Sequence, residues 1–145
     1  MKIVVLKFGG TSVGNIERIK KVAQIIAAYK KRKRKGIVVS SAMSGTTNEL
    51  IKKSKKLSNN FNLAEYDVLL AAGEQIACSL IAGRLNRIGY KARSWMSWQV
   101  PINTNGPDSA SRIDKRNKKN RITLSNSTEM PIKKAFQGND YKNRI

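Results

Sequence analysis

The sequence predicts an α/β fold, a three-layer sandwich around a mostly parallel sheet. Short apolar, β-branched runs alternate with longer segments of helical periodicity, and the first two such runs flank one helical segment. Small-residue turns follow both runs. Ile3-Val4-Val5-Leu6 reads as a buried strand, broken by Lys7-Phe8-Gly9-Gly10-Thr11-Ser12. From Ile16 the apolar positions recur as Ile19, Val22, Ala23, Ile26 and Ala27, the spacing of one helical face. Asn15 is the expected N-cap and Gly36 the expected stop. Ile37-Val38-Val39 is a second strand, and strand, helix, strand in this order implies parallel pairing.

The alternation continues beyond this unit. Ser40 to Thr47 is a hydroxyl-rich turn, and Glu49 to Leu57 is expected to form a short helix. Leu63, Tyr66, Leu69 and Leu70 make another apolar face, with an interruption expected at Gly73. Ile76, Ala77, Leu80, Ile81, Leu85 and Ile88 resume helical spacing, with Gly89 as the C-terminal cap. Tyr90 to Trp95 reads as a strand. After Pro101 the signal weakens, and residues 103 to 128 are expected to form loops, a short helix and one hairpin. With no internal repeat and no linker, residues 1–145 are read as one domain.

Composition narrows the function classes. Twenty-nine Lys+Arg face 9 Asp+Glu, for a net charge of +20. Such a balance could attract polyanions. The basic residues neither share one face nor interleave with aromatics, so compositional drift is favoured and nucleic acid is not the expected partner. Histidine is absent, which removes Ser-His, Cys-His and His-ligated metal chemistry. The one cysteine, Cys78, cannot form an intrachain disulfide, and no metal-ligand cluster is visible. The amino-terminal apolar run is too short for a signal peptide, and no stretch approaches the ~18 apolar residues of a membrane span. A cytoplasmic location is expected.

Three places carry the chemistry. Gly9 and Gly10 after a buried strand let the backbone approach an anion, with Lys7 supplying a point charge at the strand's carboxyl end. A tight strand-to-helix turn with an exposed lysine explains the same residues without function, and the glycine spacing fits neither the dinucleotide fingerprint nor the P-loop. Ser40-Ser41-Ala42-Met43-Ser44-Gly45-Thr46-Thr47 places hydroxyls on the same sheet edge, where helix capping is the bland explanation. Glu74, within Gly73-Glu74-Gln75, is read as an acidic residue at a helix start. Flanked by Leu69, Leu70, Ala71, Ala72, Ile76 and Ala77, its carboxylate should be holding something.

Lys7-Phe8-Gly9-Gly10-Thr11-Ser12-Val13 resembles the opening motif of aspartate kinases, in the amino-acid kinase superfamily. Val38-Val39-Ser40-Ser41-Ala42-Met43-Ser44-Gly45-Thr46-Thr47-Asn48 is similar to that family's second motif, and Leu70-Ala71-Ala72-Gly73-Glu74-Gln75 to its third. Ala92-Arg93-Ser94, Trp98-Gln99 and Phe136-Gln137-Gly138 follow in the expected order. The resemblance implies transfer of the γ-phosphate of ATP to the side-chain carboxylate of L-aspartate, with Mg2+, in lysine, threonine and methionine biosynthesis. It also implies roles for particular residues. Lys7 would contact the transferring phosphate, and Gly9, Gly10, Thr11 and Ser12 would form the phosphate-binding turn. Ser41 would lie near the reacting groups, and Thr47 and Glu74 would hold aspartate, Glu74 through its ammonium group.

Two departures from the family pattern shape the expectations. The chain ends at Arg144-Ile145, before the family's Gly-Gly-Ser-Asp motif, the nucleotide-binding half and the regulatory domains. A partial catalytic domain, inactive and marginally folded alone, is therefore expected, open to a homo-oligomer or a complementing chain. Pro131-Ile132-Lys133-Lys134-Ala135-Phe136 stands where relatives have a continuous apolar strand. At least one of its lysines is expected to point into the packed sheet. The alternative function is a basic module for nucleic acid or other polyanions. It rests on Lys30-Lys31-Arg32-Lys33-Arg34-Lys35 and the cluster from Lys115 to Arg121. The first run also suits the end of a helix, where cations favour the dipole.

Overall fold

A computed structural model describes residues 3–32, 35–100, 102–105, 112–113, 129–135 and 138–139. Of the sequence features above, Lys33 and Arg34, residues 106–111 and 114–128 (with the short helix expected between 103 and 128 and the Lys115 to Arg121 cluster), and Phe136-Gln137 lie outside the described residues. Strand β1 (Val4–Phe8), helix α1 (Ile16–Lys31) and strand β2 (Gly36–Ser40) form the expected βαβ unit, paired in parallel from Val4↔Gly36 to Phe8↔Ser40. Asn15 caps α1 by accepting the Arg18 N–H at 2.9 Å. The helix ends at Arg32 rather than at Gly36. Gly36 instead opens β2, where the absence of a Cβ makes room for the Tyr29 ring. A Cβ there would lie 3.0 Å from Tyr29 Cε1.

Helix α2 spans Thr46–Leu57, starting earlier than the apolar pattern indicates. Helix α3 then runs unbroken over Leu63–Arg87, with Asn62 accepting the Ala64 and Glu65 N–H groups at its start. The expected interruption at Gly73 does not occur, because one glycine costs a helix only ~1 kcal/mol and the buried face continues on both sides. Gly89, at φ +86°, reverses the chain after α3. Strand β3 (Ala92–Trp95) follows, tied to the helix end by Asn86, which exchanges two 2.9 Å hydrogen bonds with the Ala92 backbone.

A single 3₁₀ turn (Ser97–Gln99) leads to the short strands β4 (Ile102–Asn105) and β5 (Arg112–Ile113). These pair antiparallel as the expected hairpin. Strand β6 (Met130–Lys134) enters the main sheet, and β7 (Gly138–Asn139) pairs in parallel with β4. The main sheet has the order β1-β2-β6-β3, with every pairing parallel, as the α/β reading requires.

Register divides the sheet into two faces. Leu6, Phe8, Val38, Ser40, Met130, Ile132, Lys134 and Ala92 share the face covered by α1 and α3. There Val38 and Ile132 pack with Ile19, Val22 and Ile26 of α1 and with Cys78, Ile81 and Leu85 of α3. On the other face Val5 is 59% exposed and Lys7 is exposed, while Pro131 and Lys133 are buried. A second helical layer over that face is not among the described residues. Helix α3 is long and apolar enough to cross a membrane, unlike the expectation that no segment is, but its Ala71, Ala77, Cys78, Ile81 and Leu85 lie in the core.

Strand β6 lies between two neighbours yet contains a proline and two lysines. The Met130 N–H donates to Lys91 O on the β3 side at 2.8 Å. Alternation would turn the next N–H, absent in Pro131, toward β2, where the ladder begins only at Val38↔Ile132. Both lysines are buried, Lys133 on one face and Lys134 on the other. Lys133 Nζ reaches Val100 O at 3.2 Å. Burial first, and the Lys134 charge second, pull its pKa down from 10.5 to about 8.

Lys133 therefore holds its proton less tightly in the folded chain than in the unfolded one. The penalty is fully present below about pH 8 and is relieved as pH rises toward 10.5. Lys133→Met is expected to raise unfolding free energy at neutral pH by about 1–3 kcal/mol. That advantage should narrow as the solution is made alkaline. Urea unfolding of both proteins at neutral and alkaline pH checks it, and a wild type equally stable at neutral pH contradicts it.

Candidate active site

Because Phe8 and Ser40 are register partners, the turns that follow β1 and β2 leave the sheet at the same level. In the first turn, the Ser12 and Val13 N–H groups donate to Gly9 O at 2.9 and 3.3 Å. No backbone acceptor for the Gly10 and Thr11 N–H groups lies among the described residues. Arg18 Nη1 donates to Thr11 O at 2.6 Å and ties the turn to the first turn of α1.

The second turn touches the first. Ser41 N–H donates to Phe8 O at 3.1 Å. A Cβ on Gly10 would lie 3.1 Å from Ala42 O, and one on Gly14 would lie 3.3 Å from Ser44 Cβ. Gly45, in the left-handed region at φ +83°, turns the chain into α2. Thr47 is thereby placed, exposed, in the first turn of that helix.

Helix α3 reaches this turn at Gly73. A Cβ there would stand 3.0 Å from Thr46 Cγ2, 3.2 Å from Leu50 Cδ1 and 3.4 Å from Ala42 Cβ. Glu74, the next residue, is half-buried in the middle of α3, not at a helix start. Its reading as a partner of the helix dipole therefore falls, and its presence in an apolar stretch calls for a different cause.

The structure thus brings Gly9, Gly10, Thr11, Ser12 and Ser41 into one pair of touching turns, and sets Thr47 and Glu74 on the two helices that meet beside them. Lys7 is exposed on the sheet face opposite the helices. Lys7 and Glu74 therefore approach the carboxyl edge from opposite sides of the sheet.

Two further residues belong to this edge. Arg18 carries no motif signal, since a basic residue in an early helical turn is unremarkable in a chain so rich in them. Lys134 stands out as a lysine in an apolar strand. It pairs in register with Ser40 and faces α3 with 1% of its surface exposed. Burial depresses its pKa, while the Glu74 charge and, less, Cys78 oppose that shift. Burial chiefly, and then the Glu74 charge, push the Cys78 thiol up to about 12. A thiol so held is a packing group and not a nucleophile.

The Gly73 contact generates a paired test on one helix. Gly73→Val should destabilise the fold by about 1–3 kcal/mol, because its branches enter space held by Thr46, Leu50 and Ala42. Gly83→Ala, where a Cβ meets nothing within 4 Å, should stabilise by roughly 0.5–1 kcal/mol through helix propensity. Thermal unfolding of the two variants compares them, and equal shifts would mean that the close approach at Gly73 does not exist in solution.

Comparison with known proteins places this geometry. The profile of the amino acid kinase family matches residues 2–144. An aspartokinase of Rickettsia felis is 39% identical over 148 residues, covering all of this chain and 37% of the relative. An aspartokinase of Geobacillus stearothermophilus is 44% identical over 113 residues, 78% of this chain and 28% of its own length. Aspartate kinase from Synechocystis superposes with a TM-score of 0.78 at 28% identity, over 99% of this chain and 23% of that one. E. coli aspartokinase III, solved with aspartate and ADP, shares the fold at a TM-score of 0.76 and 20% identity, over 99% of this chain and 42% of its own. The chain thus spans about a third of the length of the Rickettsia relative. By its profile and by three motifs meeting at one sheet edge, this chain belongs to the amino acid kinase family.

Proposed function

We propose that this chain carries the acceptor and phosphate-contacting front of an aspartate kinase site, which phosphorylates the side-chain carboxylate of L-aspartate from ATP in the cytoplasm. The observation that supports it most is the meeting of the three motif segments, through Gly10–Ala42 and Gly73–Thr46. A carboxylate oxygen of the acceptor attacks the γ-phosphorus. The bond to the β,γ-bridging oxygen breaks, and ADP leaves with that electron pair. A side-chain carboxylate with a pKa of ~3.9 is ionised at neutral pH, so no general base is needed, and none is offered by histidine.

In this reading the chain's own residues position and neutralise. The Gly10 and Thr11 N–H groups, lacking backbone acceptors among the described residues, donate to phosphate oxygens, with the Thr11 and Ser12 hydroxyls alongside. Lys7 brings its ammonium to the transferring phosphate. Ser41 borders the reacting groups, and Thr47 and Glu74 hold the amino acid, Glu74 by its ammonium group. Among the described residues no cluster of three carboxylate or thiol ligands exists to hold a metal. Magnesium, if it enters with the nucleotide, would supply neutralisation of phosphate charge there.

Transfer from ATP to L-aspartate, trapped as the hydroxamate and measured on the purified protein complemented by the nucleotide-binding half of a relative, tests this reading. Lys7→Ala is expected to lower turnover by about 10²-fold or more, in the range of a lost transition-state contact. Thr47→Val should chiefly raise the aspartate concentration required. Phosphorylation that survives Lys7→Ala unchanged would sink the assignment.

A further inference from the structure

The sheet face opposite α1 and α3 carries a row of side chains short of acceptors. Register sets Lys7, Val39, Lys133 and Trp95 side by side across β1, β2, β6 and β3. Adjacent strands lie ~4.8 Å apart, so this row spans roughly 14 Å near the carboxyl edge. Lys133 is 4% exposed, and its Nζ donates to Val100 O at 3.2 Å, its one acceptor among the described residues. An ammonium group has three N–H donors, so two are left over. Trp95, beside it, is half-buried, with Nε1 enclosed and without an acceptor among the described residues. Arg93, two residues earlier on β3, lays its guanidinium 4.4 Å from the centroid of the Trp95 ring. Lys7, Arg93 and Lys133 thus charge one face, and none of the four strands contains Asp or Glu.

Enclosed donors without acceptors are costly, and a buried cation is more so. A ligand oxyanion resolves both, since it accepts from ammonium and indole N–H groups alike. We propose that Lys133 and the Trp95 indole N–H form a second phosphate subsite, across β2 from Lys7, for the phosphate chain of the nucleotide. The bond to Val100 O, at 3.2 Å, is at the long end of the range and is readily exchanged for one to a charged oxygen. A phosphate chain fits this row better than a single carboxylate does. It carries several charges, and the Lys7 and Lys133 backbones stand two strands, or about 10 Å, apart. Arg93 fixes the indole plane by stacking on it and adds a third positive charge. A bound oxyanion also offsets the burial and the like charge of Lys134 that loosen the Lys133 proton. The stability that Lys133 costs the empty chain is then recovered on binding. This subsite deepens the reading of the carboxyl edge as the place of phosphoryl transfer, and it rests on that reading.

Titration of the full chain with inorganic triphosphate, read by the NMR signals of its indole N–H groups, tests the subsite. Trp95→Phe assigns the two signals. That of Trp95 should move downfield on binding, while that of Trp98, 58% exposed, should stay. Lys133→Met should weaken binding by about tenfold or more. Because that variant is expected to be the more stable protein, its lost binding is separable from lost folding, and thermal unfolding checks this. Lys53→Met, at an exposed position on α2, should leave the affinity unchanged. ATP should move the Trp95 signal as triphosphate does, and a response to triphosphate alone would overturn the nucleotide assignment. A response to L-aspartate instead would make this a carboxylate seat and overturn the proposal. Equal affinities in wild type and Lys133→Met would remove Lys133 from the subsite. An unmoved Trp95 signal, with the Gly10 and Thr11 amides shifting, would overturn the subsite and leave the phosphate-binding turn in place. Silence of every signal at high triphosphate would overturn both.

Discussion

The contact at Gly73 is the constraint on which the candidate site depends. At that point α3 comes close enough to Ala42, Thr46 and Leu50 that a methyl group would sit 3.0–3.4 Å from each. The hydroxyl-rich turn is thus held between α3 on one side and the Gly9–Gly10 turn on the other, where Gly10 meets Ala42 O. Two glycines, each omitting a Cβ at a different wall, let three chain segments touch at one edge. Both serve close approach, since the left-handed conformations belong to Gly45 and Gly89. The Gly9–Gly10 turn and the helix that carries Glu74 become neighbours by packing alone.

Strand β6 works against this economy of small residues. A strand between two neighbours ordinarily reads as a continuous apolar run. This one carries Pro131, whose missing N–H falls before the β2 ladder begins, and two lysines that the sheet's alternation sends to opposite faces. One finds a carbonyl, that of Val100, and the other only the field of a carboxylate. The two cations are different physical problems despite adjacent positions. Lys133 is hydrogen-bonded but pushed by the like charge of Lys134, whereas Lys134 finds no acceptor among the described residues and lies in the field of Glu74.

Most of the fold is legible in the residues. Apolar β-branched runs mark β1 and β2, the spacing from Ile16 to Ala27 marks α1, and Asn15 and Gly89 mark helix ends. The departures share a cause. Gly36 and Gly73 look like punctuation because sequence shows that a side chain is missing, but not what occupies the space. At Gly36 that space holds the Tyr29 ring, and at Gly73 it holds α2 and its preceding turn. The expectation of Glu74 at a helix start has the same origin. The hydroxyl and glycine turns of the candidate site are visible because strand ends dictate their level. Arg18 is not, because its bond to Thr11 O depends on a turn geometry that no local pattern encodes. The burial of a lysine in β6 follows from alternation, but which charge faces it depends on the pairing of Ser40 with Lys134.

The order β1-β2-β6-β3 has a consequence for how the chain acquires its shape during synthesis. Strands β2 and β3 are not neighbours, and the strand that joins them is β6 at Met130–Lys134. As the polypeptide emerges, β1, α1 and β2 can associate early, and α3 can form by itself. The slot between Gly36–Ser40 and Ala92–Trp95 stays open until residues ninety-odd positions beyond β2 arrive to fill it. Long-range parallel pairing of this kind is slow, because loop closure must precede its reward. Until then the apolar flanks of β2 and β3 stand uncovered, the state in which nascent chains are most vulnerable to self-association and most dependent on chaperones.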